Sequence, residues 1–242
     1  MHNIDQPHGR CRISRDPAAI DERLSELQGA WWDAFYADKT RPIPFFSHAP
    51  DESLAQWVDS RAIPVGLALD IGCGNGRNAI FLARAGFRVE AVDFSRGAID
   101  WAAQSAKEAR VEVRLHHASV FDLDIEPGGF DLVCDSGCFH HMPPDERARY
   151  VDRVATALRP GGWFAMACFR PEGGSGLSDD EARERKTLGG GLGYTEQRLR
   201  EIWSGPFEIT ALRPMEQQPV SSPRFGQGFL WAMLARRRVS AV

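Results

Sequence analysis

The sequence lacks the features that define several protein classes. It contains no run of about 18 or more apolar residues, so it predicts no membrane-spanning helix. Its first 15 residues contain no apolar core, and we therefore expect no secretory signal peptide. Low-complexity stretches are absent as well, and 43% hydrophobic with 26% charged residues is an ordinary globular composition. These absences favour a folded protein that works in water.

An excess of positive charge is also missing, because the formal net charge is −4. This balance disfavours a dedicated nucleic-acid binder, whose affinity depends on a basic surface. The five cysteines form no CxxC pair, and an odd number cannot pair completely within one chain. Cys134 and Cys168 lie in apolar runs. We therefore expect reduced, buried thiols and a cytoplasmic protein.

The length of 242 residues fits one domain with an elaboration. We predict a polar tail and a helical, aromatic cap over 1–60, and a core over 61–170. A glycine-rich lid and a helix follow over 171–205, and two closing strands over 206–242. The tail is expected over 1–15, with Asp16 and Pro17 starting the first helix.

Apolar strands and amphipathic helices alternate from residue 65 to residue 169. This alternation predicts βαβ units, a mostly parallel doubly wound sheet and helices on both of its faces. The runs FEITALR and FLWAMLARRR predict a closing pair of strands, one of them antiparallel. Ligands of such sheets bind beyond the carboxyl ends of the strands, near the point where the strand order reverses.

A glycine-rich loop follows the first core strand. It reads Asp70-Ile-Gly-Cys-Gly-Asn-Gly76 and opens a helix. Alternate glycines let the backbone approach a ligand closely, and Asp93 at the end of the next strand can bind the two hydroxyls of a ribose. The pattern Gly74-x-Gly76-x-x-Ala79 also fits a dinucleotide site. Asp70 separates the two, because its carboxylate would repel a pyrophosphate but suits an adenosyl ligand with a cationic tail.

The segments ALDIGCGNGRNAIFLARAGFRVEAVDFS, FDLVCDSGCFHHM and LRPGGWFAMACF together resemble the class I S-adenosylmethionine-dependent methyltransferases, which have a Rossmann-like fold. The resemblance covers about residues 30–236, and it specifies the cofactor more sharply than the substrate. The front segment WWDAFYADKTRPIPFF and the HHM motif are similar to small-molecule members near the thiol, thiopurine and tellurite methyltransferases.

The resemblance implies a role for each matching position. The loop, namely Asp70, Gly72, Cys73, Gly74, Asn75 and Gly76, would hold the methionine part of S-adenosylmethionine. Asp93 would bind the ribose, and Phe94 would pack on adenine. Ser119 stands where the family often has an acidic residue facing the adenine amine, and Val120 would offer its backbone N–H. Asp135, Ser136 and Cys138 would line the methionine end.

Methyl transfer is an in-line displacement, for which positioning of the acceptor is the main requirement. A base is needed only where the acceptor loses a proton in the same step. His140 and His141 follow the fourth core strand, at the edge where the methyl group would lie. One of them can act as a base or orient the substrate. Alternatively, they shape the loop before Pro143; a metal site is disfavoured because no third ligand is evident.

The substrate site is expected beneath the cap. Aromatic residues are dense in the first 50 residues, and about half of them should simply pack the helix. We expect Trp32, Tyr36 and Phe45 to line the pocket, where their faces can attract cations. Arg170 can bind an anionic substrate or lie in solvent, and Tyr194 borders the predicted mobile lid over 171–193.

The sequence therefore predicts methyl transfer from S-adenosylmethionine to a nitrogen, oxygen or sulfur atom of a small molecule. A nucleic-acid or protein methyltransferase is the alternative, disfavoured by charge and by the sequence His140-His141-Met142-Pro143 in place of the Asn/Asp-Pro-Pro-aromatic motif. A nicotinamide oxidoreductase or a non-catalytic nucleoside binder would use the same fold. We expect no nucleic-acid or membrane partner; the oligomeric state is not encoded in any pattern.

Overall fold

The computed structural model describes the backbone of residues 11–13 and 22–239 and the side chains of residues 29–239. It contains nine strands and seven α-helices within these ranges. The strands are β1 Cys11–Ile13, β2 Leu67–Ile71, β3 Arg88–Asp93, β4 Arg114–His117, β5 Leu123–Ile125, β6 Phe130–Ser136, β7 Leu158–Phe169, β8 Phe207–Pro214 and β9 Leu230–Arg237. The helices are α1 Glu22–Ala37, α2 Glu52–Asp59, α3 Arg77–Arg84, α4 Arg96–Ala109, α5 Arg147–Ala157, α6 Asp179–Arg185 and α7 Glu196–Trp203. Short 3-10 helices span Pro44–Phe46, Phe139–His141, Pro144–Glu146 and Pro171–Gly173.

The main sheet has seven strands in the order β4-β3-β2-β6-β7-β9-β8. The five strands from β4 to β7 run parallel, and β9 is antiparallel to both of its neighbours. The chain moves outward from β2 through β3 to β4 and then returns to place β6 on the other side of β2. The strand order therefore reverses between β2 and β6. The predicted sheet, including its antiparallel closing strand, is confirmed.

Successive side chains of a strand point to opposite faces of the sheet. Because the central strands are apolar on both faces, helices pack on both sides of the sheet. Leu67, Leu69 and Ile71 of β2 pack in a cluster with side chains of α5 and α7. Ala68 packs in a second cluster with side chains of α2, α3 and α4. A third, smaller cluster joins the cap to Trp101 of α4.

The N-terminal segment differs in part from the prediction. A polar tail is expected over 1–15, but β1 lies within it and pairs antiparallel with β5, a strand that the periodicity did not reveal. The two strands are only three residues long, and Leu123 and Ile125 are buried. Asp16 and Pro17 lie outside the described residues. No helix in the described part of the chain is long and apolar enough to cross a membrane.

Candidate active site

The candidate site lies where the carboxyl ends of β2, β3 and β6 meet. The loop over 72–76 follows β2, Phe94 follows β3 and the turn over 137–142 follows β6. Because β6 and β3 flank β2 on opposite sides, these loops share one edge of the sheet at the reversal of strand order. An open α/β sheet binds its ligand at this place.

The glycine loop packs directly against the cap and the turn after β6. Gly74 has a φ of 54°, and a Cβ atom there would lie 2.9 Å from the Tyr36 hydroxyl oxygen. A Cβ atom at Gly72, where φ is 65°, would lie 2.9 Å from the Cys138 Cβ. Both positions therefore require glycine for conformation and for space. The loop exposes backbone, not side chains, to whatever binds there.

Asp93 ends β3 beside this loop and is 7% exposed. Its two carboxylate oxygens accept hydrogen bonds from the Gly74 N–H at 3.0 Å and the Ser95 N–H at 2.9 Å. Each oxygen has two acceptor sites, so capacity remains for two hydroxyl donors. Burial raises the pKa of Asp93 to about 6, and the two backbone donors oppose this shift. At neutral pH the group is mainly an ionised acceptor.

Asp70 is buried beneath the glycine loop, and its predicted role toward a ligand stays a prediction. Its Oδ1 accepts from the Cys134 thiol of β6 at 3.3 Å, and its Oδ2 is buried with no hydrogen-bond partner in the described structure. Burial raises its pKa to about 7. The cause is its place inside β2, whose residues are all buried. Asp70 therefore lies beneath the loop and not on the surface that the loop presents.

The three residues predicted for the methionine end have different surroundings in the structure; they are Asp135, Ser136 and Cys138. The Asp135 carboxylate accepts from the Tyr150 hydroxyl at 2.6 Å and from the Cys138 N–H at 2.7 Å, and burial raises its pKa to about 7. Ser136 accepts from the Arg77 guanidinium at 2.8 Å. The oxygens of Asp135 and Ser136 thus stabilise the turn and hold Arg77 of α3, and their predicted place at the methionine end stays a prediction. Cys138 alone lies against the loop, beside Gly72.

The residues predicted for the adenine end follow β3 and β4, which are neighbours. Phe94 is half-buried, and its carbonyl lies 3.1 Å from Nε2 of His117. Ser119 is half-buried, and its hydroxyl accepts from the Phe121 N–H at 3.3 Å. Val120 is buried, and its carbonyl accepts from Arg153. The structure thus places all three near one sheet edge, as adjacent parallel strands require.

His140 has a structural environment. Its ring stacks on Phe169 with centroids 3.7 Å apart, and its Nδ1 accepts from the Phe169 N–H at 3.3 Å. The neutral ring then carries its proton on Nε2. Burial holds the pKa of His140 well below its ordinary value, and His141 adds to the shift. This arrangement favours the shaping role for His140 over the role of a base.

His141 faces the cap. Its ring meets Trp32 edge-on with centroids 4.8 Å apart, and within the described structure its nitrogens make no hydrogen bond. Burial lowers its pKa to about 4, so the ring is neutral above pH 5. A neutral imidazole can both accept and donate a hydrogen bond. Residues 29–239 contain no group of three His, Cys, Asp or Glu side chains placed to hold a metal ion.

The cap is an aromatic cluster anchored on α1 and on the segment before α2. Phe35 stacks on Phe45 at 5.9 Å, and Tyr36 stacks on Phe46 at 5.7 Å. Trp32 connects this cluster to His141. Tyr36 is directed at Gly74, whereas it is predicted to line the substrate pocket. Trp32 and Phe45 stay candidates for the acceptor wall.

Arg170 and Tyr194 both have contacts within the protein, and their predicted role at the substrate stays a prediction. The Arg170 guanidinium donates to the Gly228 carbonyl at 2.6 Å and pairs with Glu172 at 2.9 Å, while its Nε is buried with no hydrogen-bond partner in the described structure. Tyr194 is 2% exposed and stacks on Phe139 at 5.0 Å within the core. Arg170 directly follows β7, and the Tyr194 N–H donates to the Phe169 carbonyl at the end of that strand at 3.0 Å.

The segment over 171–193 lies next to His140. The Leu192 N–H donates to the His140 carbonyl at 2.8 Å. Salt bridges tie the segment to the start of α5: Asp179 pairs with Arg147 at 2.7 Å, and Arg183 with Asp145 at 2.8 Å. The position fits a lid; movement of this segment stays a prediction.

Arg77 is a site residue that the sequence analysis missed. Its guanidinium is buried and contacts the Ala49 carbonyl at 3.1 Å, Asp51 at 2.7 Å and Ser136 at 2.8 Å. Its position directly after Gly76 was visible in the sequence, but its partners Asp51 and Ser136 are far from it along the chain. Arg77 connects the cap, the loop and β6.

The donor set fits an adenosyl cofactor. The loop is lined by backbone, Asp93 retains acceptor sites, and Asp70 has an unpaired oxygen beneath the loop. These groups suit a ribose and a cationic amino group. They offer no cation for a pyrophosphate, since the guanidinium of Arg77 is already engaged.

Comparison with known proteins agrees with the geometry. Residues 68–162 match the family model described as a methyltransferase domain. The resemblance to class I S-adenosylmethionine-dependent methyltransferases is therefore confirmed, with this domain at the centre of the chain. The narrower likeness to thiol, thiopurine and tellurite enzymes stays a prediction.

The chain is similar in sequence to curated proteins and in fold to solved structures. The ubiquinone biosynthesis O-methyltransferase of Ralstonia nicotianae is 34% identical over 149 residues, which cover 61% of this chain and 59% of that protein. The chain thus spans about three fifths of the length of that relative.

Two solved structures share the fold. The Burkholderia thailandensis 1,6-didemethyltoxoflavin-N1-methyltransferase, solved with its substrate and S-adenosylhomocysteine, has a TM-score of 0.67 at 22% identity. The match covers 98% of this chain and 99% of that one. The second structure comes from a study of the conversion of a disulfide bond into a thioacetal group during echinomycin biosynthesis. It has a TM-score of 0.70 at 23% identity, and the match covers 88% of this chain and 94% of that one.

Proposed function

We propose that this chain is an enzyme that transfers a methyl group from S-adenosylmethionine to a nitrogen, oxygen or sulfur atom of a small molecule. The observation that carries the proposal is the glycine loop joined to Asp93 inside a matched methyltransferase domain. When bound, S-adenosylmethionine supplies a methyl group activated by a sulfonium charge. Small-molecule methylation is supported by the names of the relatives and by the net charge of −4.

The residues of the chain would contribute binding and positioning. Asp93 would accept hydrogen bonds from the ribose hydroxyls, and the loop over 72–76 would hold the amino-acid tail. The cap would exclude water from the acceptor, with Trp32 and Phe45 as its wall. An apolar, dry site favours a step in which charge on sulfur disappears.

His141 would orient the acceptor or hold its proton. Its ring is neutral and half-buried beneath Trp32, and its nitrogens are available. Because its pKa is about 4, His141 is a weak base. The site therefore suits an acceptor that needs little activation, such as a thiolate, an amine or an acidic phenol. We place the enzyme in the cytoplasm, supported by the free thiols of the cysteines that the structure describes.

A panel of thiols, amines and phenols tests the proposal directly. Incubated with methyl-labelled S-adenosylmethionine, the wild type should label members of one acceptor class. Asp93→Ala should reduce labelling at least tenfold, because the ribose loses its acceptor. Asp124→Ala, an exposed aspartate on β5, is the matched control and should keep wild-type activity. Cofactor binding without labelling of any class would instead favour a non-catalytic nucleoside binder.

A further inference from the structure

Arg147 begins α5 with a buried guanidinium of which the protein uses only one end. Its side chain is 6% exposed, and its Nη1 donates to Asp179 of the segment over 171–193 at 2.7 Å. Its Nε and Nη2 are buried and have no hydrogen-bond partner among the described residues. The N–H groups of these two atoms lie along one edge of the guanidinium, which is the fork that binds a carboxylate through two parallel hydrogen bonds. Arg147 thus directs this edge at no acceptor of the described protein.

Tyr194 places a third donor beside this guanidinium. Its ring lies under Arg147, 5.0 Å from the guanidinium carbon, and its hydroxyl is buried without a hydrogen-bond partner in the described structure. Burial raises the pKa of Tyr194 above its ordinary value, and the charge of Arg147 opposes this shift. The phenol is therefore neutral and can donate. Buried polar groups are almost always paired, because an unpaired one costs free energy, so three unpaired donors on two neighbouring side chains indicate a ligand.

The charges around Arg147 limit what that ligand can be. Within residues 29–239 its acidic partner is Asp179, and the same oxygen of Asp179 also pairs with Arg198 at 3.4 Å. Arg198 in turn pairs with Glu201, whose side chain is 49% exposed. A water molecule would offer one oxygen to three donors and no negative charge. A carboxylate offers two oxygens in one plane and a charge that matches the guanidinium, so it fits the donor set better.

We propose that the Nε–Nη2 edge of Arg147 and the hydroxyl of Tyr194 bind the carboxylate of a small monovalent acid. The two side chains are 5% and 2% exposed, so the ligand is a free ion of the size of formate and not the methyl acceptor. Because Arg147 also holds Asp179, the bound ion would fix α6 to α5. Tyr194 stacks on Phe139 at 5.0 Å, and the ion would thereby also hold the turn that carries His141. The site does not depend on methyl transfer and goes beyond the proposed function.

Thermal unfolding in sodium formate tests the site, with sodium pivalate at equal concentration and pH as a bulkier carboxylate of the same charge. The wild-type midpoint should rise saturably with formate, by about 3 °C at a tenfold excess over the dissociation constant, and should not rise with pivalate. Arg147→Lys keeps a cation for Asp179 but lacks the fork, and should abolish the rise. Tyr194→Phe keeps the ring on Phe139 and should weaken formate binding about tenfold, as expected for loss of a hydrogen bond to a charged group.

Arg183→Lys is the matched control. Arg183 also joins α6 to the segment before α5, through Asp145, but its side chain is 44% exposed, and this variant should keep the wild-type response to formate. A crystal of the wild type grown with formate should show the ion between the Arg147 fork and the Tyr194 hydroxyl. A lone water there, no saturable rise in the wild type, or an equal rise with pivalate or in Arg147→Lys overturns the proposal. If Arg147→Lys does not fold, the wild-type and Tyr194→Phe titrations and the crystal decide.

Discussion

The side chains around the candidate site have ionisation states set by burial. Asp70 and Asp135 have pKa values raised to about 7, and Asp93 to about 6. His141 is shifted the other way, to about 4, and is therefore neutral. Desolvation explains both directions, because it disfavours whichever form is charged. The site carries little fixed positive charge, which is consistent with a cationic cofactor.

His141 makes the stability of the protein depend on pH. In the unfolded chain His141 takes up a proton below about pH 6.5. In the folded protein the same ring stays unprotonated until about pH 4. Its contribution is thus present above pH 6.5 and is lost as the pH falls. Between pH 7 and pH 5 the wild type should lose about 2 kcal/mol of unfolding free energy more than His141→Gln. Urea titrations at both pH values measure this difference.

A second variant controls for packing. His141→Phe keeps an aromatic ring beside Trp32 and should show the same reduced dependence on pH. Contributions from the buried aspartates have the opposite sign, but they are common to all three proteins and cancel in the comparison. Parallel curves for the wild type and both variants would show that His141 titrates alike in folded and unfolded chains, against this account.

At the scale of elements, polar contacts hold the cap segment to the helix that follows the glycine loop. Asn75 donates to the Ser47 carbonyl at 3.0 Å, and Asn78 exchanges two hydrogen bonds with Asp51 at 3.0 and 3.1 Å. Arg77 pairs with Asp51 at 2.7 Å, and both side chains are at most 6% exposed. One end of the cap is thereby fixed relative to the loop.

Removing Arg77 should therefore loosen the junction between cap and core. Arg77→Met keeps the bulk of the side chain but leaves Asp51 buried without its cation. Breaking a buried ion pair in this way should reduce the unfolding free energy by about 3–5 kcal/mol. Chemical denaturation measures the loss, and Asp51→Asn in the same chain should recover part of it.

An exposed pair provides the matched control. Arg224 and Asp59 are 2.7 Å apart, but their side chains are 41% and 54% exposed. Arg224→Met should cost less than about 1 kcal/mol, because solvent screens such pairs. Similar losses for Arg77→Met and Arg224→Met would contradict the role given to the buried pair.

Much of the whole architecture follows from local sequence signals. The alternation of strands and helices predicted from residue 65 to residue 169 is present in β2 to β7 and α3 to α5, and Ser95 caps α4 through the Ala98 N–H. The β1–β5 pair was not predictable, since three-residue strands carry too little periodicity. At the site, what limits prediction from the sequence is tertiary packing. The sequence shows which residues follow each strand, but tertiary packing decides that Asp135 turns to Tyr150 and Tyr36 turns to the loop.

The central claim concerns the whole molecule: it binds an adenosyl amino acid at the carboxyl edge of its sheet. Isothermal titration calorimetry with S-adenosylhomocysteine and with NAD tests it most directly. The account predicts saturable one-to-one binding of S-adenosylhomocysteine, weakened at least tenfold in Asp93→Ala, and no binding of NAD. Binding of NAD without binding of S-adenosylhomocysteine would contradict it.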